Sequence, residues 1–440
     1  MTDPRIIPRD QHPISRKDID KDTLGVLYKL KDAGYEAYLV GGAVRDLLME
    51  RRPKDFDVAT DARPRELRRL FRNSREVGRR FRIVHVFFGP KNVEVATLRS
   101  AAEPADDGYV DDDNQWGDLE SDAFRRDFTI NALYYDIRDF AVIDYTGGVG
   151  DLEHRLVRTI GDPAVRFVED PVRMLRAIKF AARFGYAIEA ETEAALHDAA
   201  PEILKSSRFR VTEEIFRILS QANRHRGVEL LGRYGFLGIL FPEWLDAIGD
   251  DGLAQVEDYF RAVDHEAQEE RYFPLEVLAS GMFIQLLGEV DPGRDQFNQT
   301  AARVTGDVRR IAARMDLPKR LVNAVTELLR AQLYLIFFSH LHKRVRRFVE
   351  SPWFDPAWRV HLLAFGQVRE LAEVRDLWWH ARRALGRPLG GTIGSPDRRD
   401  LFSFRGQTGG GRHQGRNPAR GRDDDQDDGD YADSEIVDAD

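Results

Sequence analysis

The sequence predicts a multidomain protein: an N-terminal α+β head on a mixed, mainly antiparallel sheet, then an all-α body, then a disordered C-terminal tail. Short apolar runs broken by glycine and proline fill the first ~150 residues, as strands and short helices do. From Asp151 to about Gly386 apolar residues recur at helical spacing. The last ~55 residues are low in complexity and cannot bury enough apolar surface to offset chain entropy. At 440 residues the chain exceeds one core of ordinary size. The divisions are a flexible leader over 1–22, a head over 23–150, a helical neck over 151–240, a helical body over 241–385 and a tail over 386–440.

Element by element, TLGVLYKLKDAG places Leu24, Leu27 and Leu30 on one helical face and stops at Gly34. Tyr38 to Val40 reads as a short strand, Gly41-Gly42 as a turn, and AVRDLLM as the start of a helix. Asp55 to Ala59 reads as a strand, and Pro64 opens a helix with Leu67, Leu70 and Phe71 on one side. FRIVHVFF and VEVATLR form a hairpin about Gly89-Pro90. The acidic stretch from Ser100 to Asp122 reads as a mobile loop. FTINALYYDI and FAVIDYTGG return to strand-like patterning before the helices begin. The first long one, DPVRMLRAIKFAARFG, takes Asp170 as N-cap, Pro171 as its first residue, Val172, Leu175 and Ile178 as its buried stripe, and Gly185 as its stop. Trp353, Trp358, Trp378 and Trp379 read as packing between helices.

Composition excludes several classes. With 42% hydrophobic and 32% charged residues, and no apolar run of bilayer length, the chain reads as a soluble protein without membrane insertion. It has no cysteine, so disulfides and thiolate metal sites are excluded. No apolar signal segment opens it, and the cytoplasm is the predicted compartment. The net charge of −9 is local: Asp423 to Asp440 holds 10 acidic residues and no Lys or Arg. The remainder is near neutral, so partners must be read from patches.

The most informative patch is KDFDVAT. In a strand Asp55 and Asp57 share a face, about 6–7 Å apart, while Phe56 points the other way. Two such carboxylates repel each other unless a cation lies between them. Mg²⁺ takes oxygen ligands and commonly binds one or two carboxylates plus substrate phosphates. Glu94 lies opposite the face of Val93, Val95 and Thr97, which makes it a candidate third ligand. A glycosyltransferase uses a similar acidic triplet, and a solvated strand edge carries one without function. Gly41-Gly42 before a helix leaves N–H groups free for an anion, with Arg45 in the first turn to add charge. Arg173 and Arg176 lie one turn apart beside Glu169 and Asp170, where a planar donor fork suits a base edge, a phosphate or a surface ion pair.

Taken together, VGGAVRDLL, PKDFDVAT, RRDFTINAL and EDPVRMLRAIKFAARFG resemble the nucleotidyltransferase superfamily that includes DNA polymerase β. The resemblance narrows to the branch of bacterial poly(A) polymerases and CCA-adding tRNA nucleotidyltransferases, over residues ~35–240. It implies that Gly41 and Gly42 contact a triphosphate, that Asp55 and Asp57 hold two Mg²⁺ ions (Mn²⁺ the alternative), and that Glu94 is a less certain third ligand. It implies further that Asp127 is an essential acidic residue, that Arg126 lies near ribose or phosphate, and that Glu169, Asp170 and Arg173 read the incoming base. The implied reaction is AMP transfer from ATP to an RNA 3′ end.

Within that branch, REVGRRFRIVHVFFG resembles the poly(A) polymerase signature, and no FGT of the CCA-adding type occurs. Arg79, Arg80 and Arg82 beside the metal strands suit a triphosphate or an RNA backbone, or simply flank a solvated face. Arg405, Arg412, Arg416, Arg420 and Arg422, on a glycine-rich segment, suit sequence-independent RNA holding. The acidic terminus is placed to compete with RNA for those arginines. RNA-decay factors are candidate partners. The alternatives are a CCA-adding enzyme and, from another class, a non-catalytic RNA-binding factor on the same scaffold. His197-Asp198, an HD pair, has no partner ligands at suitable spacing and is set aside.

Overall fold

The computed structural model describes residues 3–78, 82–100, 115–267, 273–288, 294–336 and 345–384. Eight strands make one sheet: β1 (Arg5–Ile7), β2 (Ala37–Val40), β3 (Asp57–Thr60), β4 (Ser74–Val77), β5 (Ile83–Phe88), β6 (Lys91–Thr97), β7 (Leu133–Asp136) and β8 (Ala141–Asp144). Their order is β1-β8-β7-β2-β3-β6-β5-β4. All neighbours are antiparallel except β3 and β6, which run parallel. The sheet is mixed and mainly antiparallel, as its sequence predicts.

Helices α1 (Lys21–Asp32), α2 (Gly42–Leu48) and α3 (Pro64–Leu70) cover one face. Their Val26, Leu27, Leu30, Ala43, Leu47 and Leu67 pack with Leu39, Val58, Val84 and Val95 of the strands. The opposite face is a smaller cluster of Val40, Ala59, Ala123, Tyr134 and Ile160, beside α4 (Leu119–Phe124). Strand side chains alternate faces, so Val58 belongs to the first cluster and Ala59 to the second. Asp57 stands on the second face, and Phe56 packs against the first cluster.

The leader is a correction to the sequence reading. From residue 3 on it packs onto the head: β1 pairs with β8, and Ile7, Ile14 and Ile19 are buried in the head core. Three isoleucines spread through a polar segment give no period, so patterning misses them. The expected mobile loop, Ser100 to Asp122, is described only at its two ends. Residues 101–114 lie outside the described residues, and its end is α4. β4 is a further strand that the sequence reading omits.

Beyond the sheet come α5 (Gly148–His154), α6 (Pro163–Glu169), α7 (Val172–Phe184), α8 (Ala190–Ala199) and α9 (Arg208–Leu219), then helices to Ala384. Val172, Leu175 and Ile178 are buried, and Gly185 ends α7 with a left-handed φ of 69°. Asp170 is not the N-cap of α7. It closes α6, and Pro171 occupies the cap. Trp358 and Trp378 are buried as expected, whereas Trp353 is 37% exposed. The described residues all fall in one compact unit. The predicted tail, with Arg405, Arg412, Arg416, Arg420, Arg422 and the acidic terminus, lies outside the described residues. So do Arg79 and Arg80.

Candidate active site

The parallel pairing of β3 with β6 sets Asp57 opposite Glu94 in register. Asp55 lies just before β3, which begins at Asp57 and not at Asp55 as the sequence suggested. Although Asp57 is exposed, desolvation by the protein packed around it, then the Glu94 and Asp55 carboxylates, push its carboxyl up to about 6, against the pull of Arg126 and His85. Burial and Asp55 also raise Glu94, which has His85 Nε2 3.5 Å away. Among the described residues no three His, Cys, Asp or Glu side chains form a ready metal cage. The carboxylates of Asp55, Asp57 and Glu94 thus lie close enough for Asp55 to raise both of the others. That is the donor set for a hard divalent ion that shares its coordination with substrate phosphates.

Beside these carboxylates, Gly41 adopts φ 68°, ψ −127°, a conformation that favours glycine, and α2 begins at Gly42. A Cβ on Gly41 would lie 3.4 Å from Arg126 Nη1 and 3.5 Å from the Asn131 carbonyl oxygen. The turn is therefore closely backed. Arg45, predicted to add charge there, is 3% exposed. It donates from Nε and Nη2 to Asp46 Oδ1 at 2.9 and 2.7 Å, and from Nη1 to Asn131 Oδ1 at 2.5 Å. Its guanidinium carbon lies 4.7 Å from the Phe184 ring centroid. Arg45 is a pillar under the turn, a correction to its expected place at the triphosphate.

Arg126 donates to Asp122 Oδ2 at 2.8 Å and to the Tyr134 hydroxyl at 3.1 Å. Burial pushes the Asp122 carboxyl up, but Arg126, Arg125 and Tyr134 hold it at about 2. The neighbouring Asp127 is likewise enclosed. Its Oδ1 accepts from the Phe128 N–H and the Asn131 amide, and its Oδ2 from Arg176. Burial opposes its charge, yet Arg176, Asn131 and the Phe128 N–H hold it at about 2. Asp127 thus has no open oxygen with which to act as a base.

At the α6–α7 junction, Glu169 Oε2 accepts from Arg166 at 2.8 Å and from Arg173 at 3.0 Å. Arg173 also donates to the Arg166 carbonyl, and Arg166 to the carbonyls of Arg125 and Arg126. Asp170 accepts from Arg210 of α9 at 2.8 Å. One turn further along α9, Glu214 accepts from Lys179 at 2.6 Å and stands 3.9 Å from Arg176. Burial brings Lys179 down to about 8. Arg183 completes the set by donating to Asp46 at 3.3 Å. Arg82, half exposed, reaches Glu76 at 3.7 Å on the far side of β5.

Head and neck are therefore joined by one polar network. It runs from Glu214 and Lys179 through Arg176 to Asp127, then through Asn131 and Arg45 to Asp46 and Arg183. Sequence reading missed Asp46, Asn131, Lys179, Arg183, Arg210 and Glu214. Two signals were available: Asn131 stands within RRDFTINAL, and Arg176 and Arg183 are seven apart, on one side of α7.

Residues 37–158 match the family model described as the Poly A polymerase head domain. Residues 185–248 match one described as the probable RNA and SrmB- binding site of polymerase A. Poly(A) polymerase I of Salmonella typhimurium is 38% identical over 405 residues, 87% of this chain and 86% of that protein. A CCA-adding enzyme of Lactobacillus helveticus is 39% identical over 201 residues, 46% of this chain and 50% of that one. A solved tRNA nucleotidyltransferase, complexed with a primer tRNA and an incoming ATP analog, is 25% identical at a TM-score of 0.56. That likeness covers 82% of this chain and all of the other.

Proposed function

This chain belongs to the family of bacterial poly(A) polymerases and is a nucleotidyltransferase; on that premise we propose that it adds AMP from ATP to RNA 3′ ends without a template, releasing pyrophosphate. What carries the chemistry is the placing of Asp57 opposite Glu94, with Asp55 beside them and the Gly41 turn alongside. The choice of poly(A) over CCA addition is supported by the REVGRRFRIVHVFFG stretch and by likeness to Poly(A) polymerase I along 87% of the chain. Extent alone does not divide the two, since Poly(A) polymerase I of Haemophilus influenzae matches over 54% of the chain and a CCA-adding enzyme of Leuconostoc mesenteroides over 56%.

Asp55 and Asp57, with Glu94, are the residues that would hold divalent ions, Mg²⁺ in the first instance. When bound, such a pair favours loss of the 3′-hydroxyl proton and neutralises the leaving pyrophosphate. The turn at Gly41-Gly42 receives the triphosphate, because glycine at this positive φ lets the backbone be approached closely and the helix start supplies N–H donors. Arg126, anchored on Asp122, faces that turn. Glu169 orients Arg173, and Asp170 orients Arg210, at the junction where the base is read. Arg45, Asp127 and Arg176 keep these parts in register, so the protein works mainly by positioning.

No described helix is long and apolar enough to cross a membrane. The reading places the enzyme in the cytoplasm, where its tails would promote RNA processing and decay. The test is extension of a labelled RNA with each nucleotide separately. Long tracts with ATP alone support it. C then A addition restricted to tRNA-like ends assigns CCA addition, and no extension assigns a non-catalytic RNA-binding factor.

A further inference from the structure

Among the apolar residues of α9, Val211, Ile215, Phe216, Ile218 and Leu219 are buried, and Phe209 in the first turn is not. It is 45% exposed and stands between Arg208 and Arg210 in the sequence RFR. An exposed aromatic ring with a cation near it suits single-strand nucleic-acid binding, in which cations track the backbone and a ring stacks a base. On the helix the three side chains fan out, and Arg210 is committed to Asp170.

Its place in the fold adds to this. Arg210 reaches Asp170 at 2.8 Å, which seats the first turn of α9 against the α6–α7 junction. Four residues on, Glu214 ties α9 to Lys179 of α7 at 2.6 Å. Two polar anchors thus seat α9, whose first turn carries Phe209, against α7 and the segment carrying Glu169, Asp170 and Arg173. Asp170 Oδ1 at that junction is buried without a hydrogen-bond partner.

We propose that Phe209 stacks on the 3′-terminal base of the RNA while Arg208 faces its backbone. This rests on the adenylyltransferase reading, and it meets a need of that reaction. An enzyme that extends diverse 3′ ends must hold the last base without reading its edge. Stacking does so, because every base has a π-face.

The test uses the full chain without ATP and two oligoribonucleotides. One carries 2-aminopurine at its 3′ terminus, the other six positions upstream. Wild type should quench the terminal probe more than the upstream one. F209A should lose that difference and bind RNA about tenfold more weakly, F209W should keep both, and F209L should behave as F209A. In extension assays the RNA KM of F209A should rise about tenfold more than its ATP KM. Unaltered quenching and affinity in F209A, with its melting temperature retained, would overturn the proposal. Wild-type behaviour of F209L would also overturn it, since that residue packs without stacking. The function fails separately, if wild type binds and quenches RNA yet incorporates no AMP.

Discussion

Arg176 grips Asp127 through a single oxygen, with Nε 2.7 Å and Nη2 2.5 Å from Oδ2. The other oxygen is filled by the Phe128 N–H at 2.9 Å and the Asn131 amide at 3.2 Å. Asn131 in turn accepts from Arg45, which underlies the glycine turn. A neck helix and the proposed triphosphate turn are therefore connected through one carboxylate.

Asp127→Asn tests that connection. The side chain keeps its shape but loses the charge opposite Arg176, which would be left with Glu214 at 3.9 Å. Removing the charge from one partner of a part-buried charged hydrogen bond costs about 1–3 kcal/mol. Urea unfolding should register that loss, and the ATP KM should rise as the turn loosens. An unchanged ATP KM alongside the lost stability would show that the carboxylate does not position the turn.

Asp55→Ala and Asp57→Ala should each abolish RNA extension while leaving circular dichroism and most RNA affinity intact. Neither residue lies in a core cluster, so the effect falls on chemistry and not on folding. Near-normal incorporation by either variant would contradict their assignment as metal ligands.

A pH dependence follows from Asp57. Its carboxyl rises from an ordinary 3.8 to about 6 in the folded protein. The folded state therefore holds the proton more tightly than the unfolded chain, and the charged form costs stability as pH climbs from about 4 through 6. Asp122 and Asp127, both held at about 2, act in the opposite sense, losing their contribution as pH falls below about 4. Metal-free Asp57→Asn should match wild type at pH 4 and be the more heat-stable at pH 7. Mg²⁺ should close that gap by stabilising wild type alone. A gap independent of pH would remove the repulsion argument.

The sheet and most helix starts were legible because they rest on local patterns: a period of two, a cap, a glycine pair. Asp57 facing Glu94 was half legible. Alternation gave the face of each residue, but only the parallel pairing of β3 with β6 gave the register. Arg45 misled because a charged residue in a first turn reads as exposed, whereas Asp46, Asn131 and Phe184 compensate its burial from three separate elements. The Lys179–Glu214 pair joins residues 35 apart, and no local period announces such a contact.

Gly41→Ala should be costly in two ways. The φ of 68° with ψ −127° is one that a Cβ disfavours, by roughly 1–3 kcal/mol. The added carbon would also occupy the open side of the turn, in van der Waals contact with Arg126 Nη1 at 3.4 Å. Thermal unfolding should show the first effect. The second should appear as an ATP KM raised about tenfold, whereas Gly25→Ala, with nothing within 4 Å of the new carbon, should leave ATP use alone. Equal effects from both substitutions would reduce the turn to ordinary chain geometry.

Lys179 and Glu214 offer the cleanest separation of stability from specificity. Both are buried, 2.6 Å apart, behind the arginine that holds Asp127. Breaking a buried ion pair from one side typically costs about 3–5 kcal/mol, since the remaining charge is stranded, while replacing both ends with apolar groups costs far less. Glu214 also accepts from Arg217 at 2.9 Å, so Lys179→Met should destabilise in urea by less than that range, and Lys179→Met with Glu214→Leu should recover part of the loss. If the pair also steadies Arg176, the double variant should still show a raised ATP KM despite its partly recovered stability. Full recovery of both would assign the pair to packing alone, and no coupling between the two substitutions would mean that the 2.6 Å contact is not formed in solution.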